Sequence, residues 1–100
     1  MERLTYHRDA REEIKQAACF YESCTEGLGD RYLVAVESAI ERLVSDPFRN
    51  RILRGKFRRC LVKGFPYGVI YAVNDEEIYI AAVMHLKRKP GYWIGRSFEK

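Results

Sequence analysis

Apolar residues recur at helical spacing in the first half of the chain and gather into nearly unbroken runs in the second. Ala10, Ile14, Ala17, Ala18 and Tyr21 fall at i, i+4, i+7, i+8 and i+11, one stripe along a helix that starts near Arg8. Arg11, Glu12, Lys15, Gln16 and Glu22 take its wet face, and Asp9, Glu12 and Glu13 stand in the early turns, where the helix dipole favours acids. Thr25-Glu26-Gly27-Leu28-Gly29 breaks the pattern, because two glycines so close rarely continue a helix. A second helix follows from Gly29 to Ser45, with Tyr32, Val36, Ala39, Ile40 and Leu43 as its stripe. Pro47 ends it, since the residue before a proline is pushed out of helical geometry. The short connection predicts an antiparallel helical hairpin.

The flanking segments read as strands. Leu4 and Tyr6 alternate with polar neighbours in Arg3-Leu4-Thr5-Tyr6-His7, which predicts a short first strand. Phe48 to Lys56 is basic and irregular, an exposed loop with room for a short extended piece at Ile52-Leu53. Three further strands are expected at Phe57–Lys63, Tyr67–Val73 and Ile78–Met84, with Asn74-Asp75-Glu76-Glu77 as a hairpin turn. The last two are almost wholly apolar and therefore central. The order β-α-α-β-β-β predicts one α+β domain over residues 1–100. It has two layers: an antiparallel sheet covered on one face by the helical hairpin, with the other face partly open.

Charge sharpens this picture. The net charge is +4, and the seven cations Arg49, Arg51, Arg54, Lys56, Arg58, Arg59 and Lys63 follow one another without an acid. The basic character thus belongs to the sheet half, and it favours an acidic partner. Cys19, Cys24 and Cys60 cannot all pair within one chain, and their spacing matches no zinc or redox motif. His7 and His85 are too isolated to suggest a metal, so no cofactor is expected. No run approaches the length of a membrane span, and Met1-Glu2-Arg3-Leu4 does not open a signal peptide, which places the expected site of action in the cytoplasm.

The last strand leads into His85-Leu86-Lys87-Arg88-Lys89-Pro90-Gly91-Tyr92-Trp93. Cations beside an imidazole and a phenol suit an anionic partner. Arg58 and Arg59 point to opposite faces of their strand, and one of them is expected to serve only solubility or an ion pair with a helical acid such as Glu37 or Glu41. Tyr67 and Tyr71 share a face and read as core residues. Trp93 either folds back onto the sheet or waits for a partner. The candidates for contact with a target or an inhibitor are Arg58, Arg59, Arg88, Tyr92 and Trp93.

Several of these segments together resemble the RelE/ParE superfamily of toxins from bacterial type II toxin–antitoxin modules. They are Tyr21 near the end of helix one, Gly27-Leu28-Gly29, Asp46-Pro47, Arg58-Arg59, Phe65-Pro66-Tyr67 with Tyr71, and His85-x-x-Arg88-x-Pro90-x-Tyr92-Trp93. The resemblance implies a small toxin neutralised by a cognate antitoxin that wraps a segment over it; operator DNA is then met only through the antitoxin. It also implies one of two targets. ParE-like members inhibit DNA gyrase by binding and are not nucleases. RelE-like members cleave mRNA on the ribosome, for which Arg59, His85, Arg88 and Tyr92 are the catalytic candidates here, with His85 or Tyr92 moving protons and Arg59 and Arg88 holding phosphate. In the nuclease branch, two further cations are expected where this chain has Leu61 and Gly68. Those departures, with an intact Phe65-Pro66-Tyr67 and the aromatic tail, favour the ParE-like branch.

Overall fold

The computed structural model describes residues 3–96. Its elements are β1 (Arg3–Tyr6), α1 (Arg8–Cys24), α2 (Leu28–Ser45), β2 (Ile52–Arg54), β3 (Phe57–Val62), β4 (Tyr67–Asn74) and β5 (Glu77–His85). They form one five-stranded sheet in the order β1-β5-β4-β3-β2, with the helical hairpin packed on one face. The α+β class and two-layer architecture are as expected. The sheet is mixed rather than antiparallel, because β1 pairs in parallel with β5, Arg3 opposite Glu77 and Tyr6 opposite Ile80. A strand that leads directly into the covering hairpin, with the rest of the sheet after it, can return beside the last strand in this sense. The short extended piece at Ile52-Leu53 is a strand in its own right, pairing with the start of β3.

Local chemistry explains the helix ends. His7 caps α1, its Nδ1 accepting from the Asp9 N–H at 3.0 Å. Gly27 starts α2 with φ of 86°, a left-handed conformation that glycine adopts without penalty. The Glu22 carboxylate, on the last turns of α1, reaches over this turn and accepts from the N–H groups of Gly27 at 3.0 Å and Gly29 at 2.9 Å. It thereby satisfies orphan donors at the start of α2. Gly29 is required for a different reason: a Cβ there would stand 2.7 Å from the Ala18 carbonyl oxygen, so glycine lets the two helices approach.

Both faces of the sheet are covered. Toward the helices, Cys60, Val62, Val69, Tyr71, Ile78, Ile80 and Val83 pack against Ala10, Ala17, Tyr32, Val36, Ala39 and Leu43. An aromatic group of Tyr21, Tyr32, Phe65 and Tyr67 closes one end of this layer, with Tyr32 5.1 Å from Tyr67 and 5.3 Å from Phe65. The far face carries Phe57, Ile70, Ala72, Tyr79, Ala81, Ala82 and Met84, and the tail lays Trp93 across them. Trp93 is 1% exposed, meets the Phe57 ring at 5.0 Å and directs its indole N–H to the Met84 sulfur at 3.3 Å. The partly open face predicted from sequence is therefore shielded by the tail along much of its extent.

A β-bulge decides which side chains go where. Tyr71 pairs with Ile80 and Ile70 with Ala82, so Ala81 has no counterpart on β4. Past it the alternation changes phase. Val83 joins the helix-side core, Met84 goes to the tryptophan, and His85 comes beside Tyr67 on the helix side. Without the extra residue, His85 and Met84 would exchange faces.

Candidate interaction surface

The residues expected to act together separate into three places. Arg58 is structural: it donates to the Asn50 carbonyl oxygen at 2.6 Å and lies 5.1 Å from the Phe48 ring, fastening the loop between α2 and β2. Its partners are backbone and an aromatic ring rather than an acid of the helices. Arg59 stands exposed on the far face. Its stem crosses Gly68, where a Cβ would come within 2.9 Å of the arginine Cγ and Cδ. Gly68 thus lets a neighbouring strand's cation lie flat where a cation of its own was considered.

His85 projects on the other side of the sheet from Arg59. Its ring meets Tyr67 at 5.1 Å, and its Nδ1 accepts from the Lys87 N–H at 3.0 Å. Tyr67 and Gly68 are successive residues of β4 and face opposite ways, so the imidazole and the Arg59 guanidinium do not share a face. The bulge at Ala81 thus places His85 on the opposite side of the sheet from Arg59. A small cleft of about 210 Å³ beside His85 is lined by Gln16, Phe20, Tyr67 and Arg88 among others.

Arg88 and Tyr92 do come together, in a cluster tied to α1. The Arg88 guanidinium lies 3.7 Å from the centre of the Tyr92 ring, and Arg96 approaches the same ring at 5.0 Å. Glu13 binds both cations, Arg96 at 3.2 Å and Arg88 at 3.7 Å. It also accepts the Val83 N–H at 2.9 Å, while Arg96 donates to the Ala81 carbonyl at 2.8 Å. The backbone groups freed by the bulge, past the end of β1, are satisfied by this pair. Burial and the nearby Glu13 carboxylate push the pKa of the Tyr92 hydroxyl up. Trp93, being buried, offers no side-chain surface to a partner. Of the five contact candidates, Arg59 and Arg88 are exposed, Arg58 and Tyr92 half-buried and Trp93 buried.

A broad concavity lies elsewhere, along the outer edge of β3. It encloses about 1030 Å³ between the end of α2, the loop 46–51, β2 and β3, and Arg42, Arg49, Arg51, Arg59 and Lys63 line it. Ile52 is 55% exposed and Leu61 52% exposed at its margins. Four cations of the seven-cation run, Arg49, Arg51, Arg59 and Lys63, thus line a groove at a strand edge, and an acidic macromolecule fits it better than a small neutral ligand.

Comparison with known proteins decides the family. A sequence model described as the ParE toxin of type II toxin–antitoxin system, parDE, matches residues 4–90. The chain belongs to the ParE toxin family. Among solved structures, a chain of the chromosomal ParDE toxin–antitoxin system from P. aeruginosa superposes with a TM-score of 0.66 at 18% identity, covering 87% of this chain and 98% of that one. A copper-bound mutant toxin from Helicobacter pylori gives a TM-score of 0.54 at 20% identity, covering 85% and 94%. These two likenesses are likenesses of fold. No curated protein sequence matches the chain.

Three residues that organise this ParE toxin were not singled out from sequence. Glu13, read there as an acid suited to the helix dipole, sits at i+3 from Ala10 and i−4 from Ala17, on the buried stripe itself. A carboxylate at such a position signals a buried partner. Arg96 is that partner, and nothing in the tail's composition distinguishes it from its neighbouring cations. Arg42, beside the buried Leu43 on α2, donates to the Leu61 carbonyl at 2.7 Å, and its role follows only once β3 is placed against α2.

Proposed function

We propose that this ParE-family toxin acts by binding DNA gyrase and that a cognate antitoxin neutralises it. The observation that carries the choice between targets is the separation of Arg59 from His85. Attack of a ribose 2′-oxygen on the neighbouring phosphate needs a proton acceptor, a proton donor and cations around one phosphorus. Here the imidazole and the strand arginine lie on opposite sides of the sheet, Leu61 and Gly68 stand where further cations would serve, and Arg88 is drawn toward Glu13. Inhibition by binding asks only for a complementary surface, and the cationic groove with its exposed Ile52, Leu53 and Leu61 supplies one.

The purified toxin should inhibit supercoiling by gyrase and leave mRNA on translating ribosomes intact. His85→Ala should retain that inhibition. Ribosome-dependent mRNA cleavage, abolished by His85→Ala or Arg59→Ala in folded protein, with gyrase unaffected, would overturn the proposal. Co-expression of a cognate antitoxin should restore growth.

A further inference from the structure

The groove beside β3 offers hydrogen-bond donors and few free acceptors. Arg42, Arg49, Arg51, Arg59 and Lys63 line it, and Asp46 is the one acid among its lining residues. Arg49, Arg51, Arg59 and Lys63 are exposed, and their side chains enter no hydrogen bond or ion pair among the described residues. The carbonyls of the same wall are engaged from within. The Asp46 carbonyl accepts from the Arg49 N–H at 3.2 Å, the Asn50 carbonyl from Arg58 at 2.6 Å and the Leu61 carbonyl from Arg42 at 2.7 Å. Arg42 thus guards β3 where its pairing with β2 has ended.

This asymmetry selects the partner. A polypeptide strand brings one N–H for every C=O, and its donors would meet few free acceptors here. A phosphodiester strand brings acceptors alone, and duplex DNA presents one negative charge per ~1.7 Å of its axis. Four of the five cations lining the groove are arginines, whose planar fork holds two phosphate oxygens at once. They come from α2, the loop 46–51, β3 and the residue after it, so folding gathers them in one place. Contacts of this kind position a duplex without reading its sequence.

Resting on the gyrase reading above, we infer that the toxin touches DNA directly: the groove receives the phosphate backbone of the duplex that gyrase holds. Arg49, Arg51, Arg59 and Lys63 meet phosphate oxygens, and Arg42 keeps the Leu61 carbonyl while adding its charge. The exposed Ile52 and Leu61 at the margins are left to the protein around the duplex. Gyrase carrying DNA is then a better target than gyrase without it.

Fluorescence anisotropy of a short labelled duplex, titrated with the full chain at several salt concentrations, tests the contact without the enzyme. The logarithm of the binding constant should fall against the logarithm of salt concentration with a slope of about −3.6, from four phosphates at about 0.9 each. A duplex of different sequence should bind equally well. Arg51→Gln with Lys63→Gln should reduce the slope by about two. The same double change should keep the parent's thermal melt and weaken inhibition of supercoiling about tenfold or more. If it lowers the melt, the slope of the parent protein decides. A parent chain that inhibits gyrase yet leaves the duplex free at low salt overturns the DNA contact and leaves the gyrase reading standing. So does a double variant that binds the duplex as the parent does. Poly-glutamate that displaces the duplex at or below equal charge concentration marks a peptide site and overturns the contact, as does tighter binding of single-stranded RNA. A parent chain that binds the duplex with the expected slope but does not inhibit supercoiling removes the gyrase reading while the DNA contact stands.

Discussion

The two edges of this sheet are finished in opposite ways. On one side β5 is paired by β1 up to Ile80, and the His7 N–H continues the ladder to the Ile80 carbonyl at 2.9 Å. Where β1 ends, Glu13 and Arg96 take over, serving the Val83 N–H and the Ala81 carbonyl. On the other side β2 stops after three residues, and Arg42 reaches across to the Leu61 carbonyl. Charged side chains cap both edges, but their settings differ. Glu13 and Arg96 are 15% and 14% exposed and bind each other, so neither tolerates loss of its partner. The cations of the β3 edge are open to water and lack acids, so each can be given up cheaply or matched from outside. The same residue types thus close one edge and leave the other free for a partner.

The largest blow to the closed side should come from Trp93→Ala. The indole holds the tail on Phe57 and Met84, and the tail carries Arg96 to the bulge. The cost should be about 3 to 5 kcal/mol in denaturant unfolding, as for other aromatic truncations in a core. A folded variant that loses less than about 1 kcal/mol would show that the tail is not held by its tryptophan. Glu13→Ala should follow at about 2 to 3 kcal/mol, because it leaves the Val83 N–H without its acceptor and takes from the Arg96 guanidinium its nearest carboxylate, leaving Asp9 at 3.9 Å. Removing Arg96 as well should cost less than the sum of the two single changes, and the double-mutant cycle measures that shortfall.

The closed edge is also where sequence reading reached its limit. Periodicity located both helices and all three long strands within a residue or two, because stripes at 3.6 and runs of β-branched and aromatic residues are strong signals. The bulge left no such trace. Ile78 to Met84 is apolar at every position, and a strand buried on both faces has no alternation from which a change of phase can be read. The face of His85 depends on that phase, so the sequence carried no sign that the imidazole lies on the side of the sheet away from Arg59. The parallel pairing of β1 was equally hidden, since Leu4 and Tyr6 fit an edge strand of either sense. Trp93 was open between two fates that composition could not separate, and only its contact with Met84 across the sheet decides them.

A site remote from both edges supplies the reference against which their pH behaviour is judged. The N–H groups of Gly27 and Gly29 hold the Glu22 carboxyl below its usual value of 4.5. A carboxyl whose pKa is depressed by folding stabilises the folded state above the unfolded value. That contribution is lost as pH falls through the folded one. The melting temperature of the parent protein should therefore drop as pH is lowered below about 4.5. Glu22→Gln should flatten that acid arm while lowering stability modestly at neutral pH. An acid arm unchanged in Glu22→Gln would show that this carboxyl is not its source.

The smallest stability effect should belong to Arg42→Ala, and it is the change that separates the two edges most cleanly. The bond to the Leu61 carbonyl lies near solvent, so water replaces it at a cost within about 1 kcal/mol. Glu13→Ala and Arg42→Ala both remove a side chain that satisfies one strand edge, yet they should differ at least about twofold in unfolding free energy. The consequence of Arg42→Ala should instead appear in association. With its guard gone, the β3 edge exposes an unpaired carbonyl beside Leu61 and Ile52, and concentration-dependent self-association should increase in sedimentation or light scattering. Salt sharpens the reading: the remaining cations repel between copies, so screening them should promote the self-association further. An Arg42→Ala protein that unfolds as readily as Glu13→Ala and stays monomeric would mean that the arginine is a structural member of the core, and that the β3 edge is closed in the same manner as its opposite.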